Sequence, residues 1–116
     1  MPDDACLFCR IVAGEIPSRR VYEDDQLIAF HDIAPRAPTH ILLVPRRHIA
    51  SALELTEADG PLLGRLFAVA AEIARGRGLA EQGYRLVSNV GTWGGQTVDH
   101  LHVHLMGGRA FDWPPG

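Results

Sequence analysis

Three features of the sequence predict an α+β fold: an antiparallel sheet of about five strands with one long and one short helix. Short apolar runs of strand length are separated by turn residues. One stretch, residues 60–76, repeats its apolar residues at helical spacing. Strands precede and follow that stretch with short connections, which joins neighbours antiparallel and sets the helices on one side of the sheet. The 116 residues allow one domain, 1–116, with its own core.

The elements follow in order. "LFCRIVAG" (7–14) reads as a short helix closed by Gly14, with "PS" as the breaker after it. "RVYED" (20–24) and "QLIAFHD" (26–32) read as strands around a turn at 23–25. A proline-rich loop, "IAPRAPTH", leads to "ILLVP" (41–45), a continuous apolar run expected to be a central strand. In 60–76, Leu62, Leu63, Leu66, Phe67, Ala70, Ile73 and Ala74 mark a buried face, while Arg65, Glu72 and Arg75 point away. Asp59 is the expected N-cap, Pro61 lies in the first turn, and Gly76 and Gly78 end the helix. "YRLVSNV" (84–90) alternates as a strand, "GTWGGQTVD" is a glycine-rich loop, and "HLHVHLMGG" is the last strand.

Composition narrows the function. With 47% hydrophobic and 22% charged residues the chain reads as a soluble globular protein. A net charge of −3 argues against a general electrostatic grip on nucleic acid. No apolar run approaches the ~20 residues of a membrane span. The start, "MPDDAC", is acidic and lacks a signal pattern, so a cytoplasmic location is expected.

The chemistry concentrates in "HLHVHLM" (100–106), where His100, His102 and His104 alternate with apolar residues. In a strand these three share one face. A strand rises ~3.3 Å per residue, which puts the outer two about 13 Å apart, too far to converge on one zinc with bonds of ~2.0–2.1 Å. The row therefore divides its work between structure or metal and a substrate. Imidazole titrates near neutrality, which suits a nucleophile or a proton donor. The preceding "GGQTVDH" offers backbone N–H groups at Gly94 and Gly95, the Gln96 amide and the Thr97 hydroxyl, donors suited to a phosphate. It is not a Walker loop, because no G-K-[ST] is present.

Residues 100–106 fit the signature H-φ-H-φ-H-φ-φ (φ, apolar) at every position, and the chain resembles the histidine-triad family. "AFHDIAPRAPTH", "GYRLVSNVGTWGGQTVDHLHVHLMGGR" and the closing "WPPG" are similar to its Hint branch, the histidine-triad nucleotide-binding proteins. The resemblance implies a purine nucleoside phosphoramidase that cleaves the P–N bond of adenosine 5′-monophosphoramidates to AMP and an amine. It implies His102 as the nucleophile, passing through a nucleotidyl-histidine intermediate, with His104 on the phosphate and leaving group. His100 and His40 would complete the orienting network. Asn89, Gly95, Gln96 and Thr97 would bind phosphate or leaving group, and His31, Asp32 and Ile33 the nucleoside, with Asp32 on the ribose hydroxyls. The Hint pattern usually has Ser where this chain has Thr97; the hydroxyl survives, and the added methyl bears on leaving-group preference. A homodimer is implied, with Trp113 near the nucleotide or the partner subunit. The alternatives are another nucleotide hydrolase or nucleotidyl transferase of the same family, or a nucleotide-binding scaffold with incidental catalysis.

The chain's two cysteines, Cys6 and Cys9, form C-x-x-C. No βαβ pattern accompanies them, which argues against a thioredoxin-like redox pair. A structural zinc needs two more ligands, for which His48 and His100 are candidates. Some histidine-triad relatives use such a set, and others fold without metal. His100 thus has two expected roles, zinc ligand or member of the histidine network.

Overall fold

Alternation along two central strands decides the architecture. The computed structural model of the chain describes residues 5–116; the acidic start read in "MPDDAC" lies outside them as far as residue 4. The helix α1 (Leu7–Val12) precedes three strands, β1 (Arg20–Glu23), β2 (Leu27–His31) and β3 (Thr39–Pro45). Two 3-10 turns then lead into α2 (Gly60–Gly76), followed by β4 (Tyr84–Val87) and β5 (Val103–Gly107). The strands form one sheet in the order β1-β2-β3-β5-β4, every pair antiparallel. No helix among the described residues is long and apolar enough to cross a membrane.

β2 and β3 are buried on both faces. Leu27, Ala29, Ile41 and Leu43 join Val103 and Leu105 of β5 against Leu66, Val69, Ala70 and Ala74 of α2. The residues between them, Ile28, Phe30, Leu42 and Val44, pack instead with Phe8, Cys9 and Ile11 of α1. Successive strand residues point to opposite faces, so the two helices cover opposite sides of the sheet. The expectation of helices on one side is corrected here: continuous apolar runs in β2 and β3 need cover on both faces.

The long helix has the expected bounds, but Asp59 does not cap it with its side chain. That carboxylate belongs to a capping box around the preceding 3-10 turn Glu57–Asp59, accepts the Thr56 N–H at 2.9 Å, and pairs with Arg47. Phe67, placed on the buried face by its spacing, is 49% exposed, whereas Val69 is buried. The two last strands are shorter than expected. The β3–β5 ladder ends at Leu43↔Val103, close to Pro45, which lacks an N–H to extend it. The Leu101 N–H instead donates to the Ile49 carbonyl at 2.6 Å, so residues 100–102 leave the sheet and approach the segment after β3. β4 ends with its last pair, Val87↔His104, and residues 88–90 lie outside the strand.

Candidate functional site

Two clusters of side chains lie on the α1 side of the sheet. In the first, the chain leaving β3 and the chain entering β5 bring His48 and His100 to the start of α1. The sulfurs of Cys6 and Cys9 and one ring nitrogen from each histidine all lie within 4.8 Å of one another. His100 Nδ1 is 3.4 Å from Cys6 Sγ and 3.5 Å from Cys9 Sγ, and His48 Nδ1 is 3.2 Å from Cys9 Sγ. The cysteines are free thiols, and the Cys9 N–H donates to Cys6 Sγ at 3.3 Å across the first turn of the helix. His100 is fully buried, and its Nε2–H donates to the Pro45 carbonyl at 2.8 Å. A carbonyl only accepts, so the proton sits on Nε2 and the Nδ1 lone pair faces the sulfurs. Burial pushes the Cys6 thiol up and the His100 imidazole down, so both favour their neutral forms.

In the second cluster the same reasoning assigns the reacting nitrogens. His102 Nδ1 lies 2.7 Å from the His100 carbonyl and must donate to it. His102 Nε2 therefore carries a free lone pair. Phe8 packs edge-on against this ring at 5.0 Å and limits its rotation. Across the sheet, the Arg36 N–H donates to His40 Nδ1 at 3.0 Å. That leaves the His40 proton on Nε2, which donates to His104 Nδ1 at 2.9 Å. The His104 proton is consequently on Nε2. Asp32 Oδ2 lies 3.4 Å from His40 Nε2, where a carboxylate favours the same tautomer. Burial first, then the charges of His102 and His40, pull the His104 imidazole down to about 4, so the ring is neutral at pH 7. Burial likewise lowers His40, with Asp32 opposing.

His102 and His104 form one wall of a cavity of about 390 Å³. Its apolar lining includes Phe8 and Ile11 of α1, Ile16, Phe30, Leu42 and Val98; its polar lining includes His31, Asp32, Thr97, His102 and His104. The volume falls within the range of small-molecule sites. Ile33 stands fully exposed at its rim. His31 is lowered by burial and by Arg19 and Arg77, the latter's guanidinium 3.4 Å from its Nε2.

The expected site residues divide accordingly. His31, Asp32, Ile33, Thr97, His102 and His104 meet at the cavity, and His40 supports it from the adjoining strand. Cys6, Cys9, His48 and His100 meet in the thiol–imidazole cluster. The His100 side chain turns to the sulfurs, and only its carbonyl reaches His102. Asn89, Gly95, Gln96 and Trp113 are not among the cavity lining. Asn89 Nδ2 donates to the Gly94 carbonyl, and the Gln96 amide bonds Gly91 N, Ala50 O and Val98 O, so both hold the glycine-rich loop in shape. Any side chain at Gly94 would collide with the Val90 backbone, and Gly95 has φ +86°. Trp113 is 83% exposed. Sequence reasoning passed over the cavity's apolar walls and the Arg36 amide. Phe8 could have been noticed, since it falls between the two cysteines on one turn of helix.

Comparison with known proteins identifies the family and the fold. Residues 13–111 match the HIT domain family. A HIT-like protein of Synechococcus elongatus is 53% identical over 110 residues, spanning 95% of this chain and 96% of its own. Among solved structures, a HIT family hydrolase from Legionella pneumophila superposes with a TM-score of 0.94 at 50% identity, covering 96% of this chain and 99% of that one. A histidine triad protein from Clostridium difficile superposes with a TM-score of 0.92 at 40% identity, with 97% of each chain covered.

Proposed function

Because the chain belongs to the HIT domain family, we propose that it is a nucleotide hydrolase, specifically a purine nucleoside phosphoramidase of the Hint branch. The observation that carries this reading is the tautomer of His102: its Nδ1–H is tied to the His100 carbonyl, leaving the Nε2 lone pair free in a ring that lines the cavity. A nucleophile needs a bare lone pair turned to the substrate, whereas a ring that only bound a phosphate would turn an N–H donor to it.

The cavity suits a flat apolar base at Phe8, Ile11 and Phe30, with Asp32 toward the ribose hydroxyls and the 5′-phosphorus toward His102. His102 Nε2 attacks that phosphorus. The Nε2–P bond forms as the P–N bond breaks, and the leaving nitrogen departs as an amine with a proton taken up from solvent. His104 Nε2–H donates to a phosphoryl oxygen and stabilises its developing charge. Water then displaces His102, giving the nucleoside monophosphate. In this reading Asn89, Gly95 and Gln96 shape the loop that presents Thr97.

The Cys6, Cys9, His48 and His100 donors fit a structural zinc. A tetrahedral zinc holds sulfur and nitrogen donors roughly 3.5 Å apart, and the sulfur–nitrogen contacts here run from 3.2 to 3.5 Å. The bond from His100 Nε2–H to Pro45 is the outer partner that a metal-ligating histidine needs. Four protein donors leave no open position, so the ion would tie α1 to the sheet and take no part in the reaction. Free thiols at these positions suit a reducing compartment, the cytoplasm. A homodimer completes the reading.

The test is turnover of an alkyl adenosine 5′-phosphoramidate. The wild type is expected to release AMP and amine. His102→Ala is expected to lose at least about 100-fold in kcat while still binding AMP. Undiminished turnover in that variant would reject the assignment.

A further inference from the structure

We propose that Arg109 is a positioning residue that sets the polarity of the His40–His104 pair from the C-terminal side of β5. The Arg109 Nε–H donates to the Arg36 carbonyl at 3.1 Å. The Arg36 N–H donates to His40 Nδ1, and the proton thereby confined to His40 Nε2 is donated to His104 Nδ1. What faces the cavity is then His104 Nε2–H, a donor.

Asp32 Oδ2, 3.4 Å from His40 Nε2, favours this direction, and the Arg36 amide is the bond that closes Nδ1 to a proton. A backbone amide only donates, so His40 cannot place a proton on Nδ1 while the Arg36 N–H points at it. If that amide swings away, His40 can carry its proton on Nδ1 and accept at Nε2 from His104 Nδ1–H. His104 would then turn a bare Nε2 lone pair toward a phosphoryl oxygen, and donation would become repulsion. The loop from Asp32 to Pro38 that carries Arg36 therefore has to be held.

Two contacts from the segment after β5 hold it. Arg109 fixes the Arg36 carbonyl, and Gly108 lies so close to Pro38 that an added Cβ would come within 2.8 Å of the proline ring. Arg109 is itself oriented by the Phe111 ring, 4.2 Å below its guanidinium, and by its bond to the Ala110 carbonyl. Arg109 is exposed, and its hydrogen bonds go to the Arg36 and Ala110 carbonyls, so its effect on His40 and His104 passes through the loop.

The consequence for turnover rests on the phosphoramidase reading; the tautomer assignment does not. The deciding measurement is long-range proton–nitrogen NMR of the uniformly ¹⁵N-labelled full chain at neutral pH, which shows which ring nitrogen bears hydrogen. His40 and His104 are expected as Nε2–H tautomers in the wild type and as mixtures in Arg109→Ala. In the same variant kcat should fall about tenfold, with a much smaller change in KM. Arg109→Lys, whose ammonium can reach the same carbonyl, should restore the wild-type signature. Arg85→Ala removes a bond to the Asp112 carbonyl and a contact with Phe111, with no bond at Arg36 to lose, and should leave the tautomers intact. Arg36→Pro deletes the amide donor itself and should reproduce the mixture. Wild-type tautomers in Arg109→Ala, or an equal disturbance in Arg85→Ala, would overturn the proposal. Absence of phosphoramidate turnover in the wild type, with the tautomers as described, would count against the activity alone.

Discussion

A histidine ring has two nitrogens, and here a partner on the main chain decides which one is available. The His100 carbonyl occupies His102 Nδ1, and the Arg36 amide occupies His40 Nδ1. The three triad rings sit in different company: His100 with the thiols, His104 with His40 and Asp32, and His102 between them, ring to ring with His104 at 5.1 Å. The neutral His104 ring has a consequence for stability. Its imidazole is lowered from an ordinary 6.5 to about 4, so the unfolded chain binds this proton more strongly than the fold does. The stabilisation is complete above 6.5 and is lost as pH falls toward about 4. In urea titrations across that window, His104→Asn should lose less stability than the wild type. A residual loss should remain, because His40, His31 and His100 are lowered too. Parallel curves for the two proteins would show that His104 does not contribute.

At the scale of elements, α1 joins the two clusters. It has only six residues, too few to be stable by itself. Its first turn carries both cysteines, and its buried side, Phe8 and Ile11, forms a wall of the cavity. A zinc at its start would therefore hold the cavity wall as well as the helix. Protein purified without added metal should contain close to one zinc per chain, read by elemental analysis. Cys9→Ser should lose most of it and lower the melting temperature. Zinc far below one per chain, with no change in melting on substitution, would leave α1 held by packing alone. β5 divides its side chains between the cores: Val103 and Leu105 go to α2, His104 to the α1 face. That division gives the alternation in "HLHVHLM" a structural meaning. Val103 and Leu105 anchor the strand and His104 is what it presents, while His100 and His102 stand in the segment that leads into it.

For the whole molecule, one sheet with a helix on each face places the cavity on the side covered by the shorter helix. Phe67 of α2 is 49% exposed, and Trp93 and Trp113 are more exposed still. Aromatic residues are enriched where proteins associate, and the dimer proposed above would give such rings a partner surface. Light scattering at micromolar concentration should give twice the mass of one chain, and Phe67→Glu should shift the population toward monomer. A single-chain mass in the wild type would contradict a dimer and leave the exposed tryptophans without a partner surface.

Much of this arrangement was legible in the sequence because it depends on spacing. Helical periodicity located α2, short apolar runs between turn residues found the strands, and the C-x-x-C and triad spacings picked out residues of both clusters. Relations between distant segments were not legible. Whether α1 covers the same face as α2, which partner the Gln96 amide takes, and where the ladder stops near Pro45 all depend on contacts across tens of residues. The sequence by itself determined which imidazoles and thiols this protein carries and which of them could share a face, because side-chain direction in a strand follows position. Only the tertiary structure decided which nitrogen of each ring is free, because that depends on a carbonyl or an amide brought to it from another part of the chain.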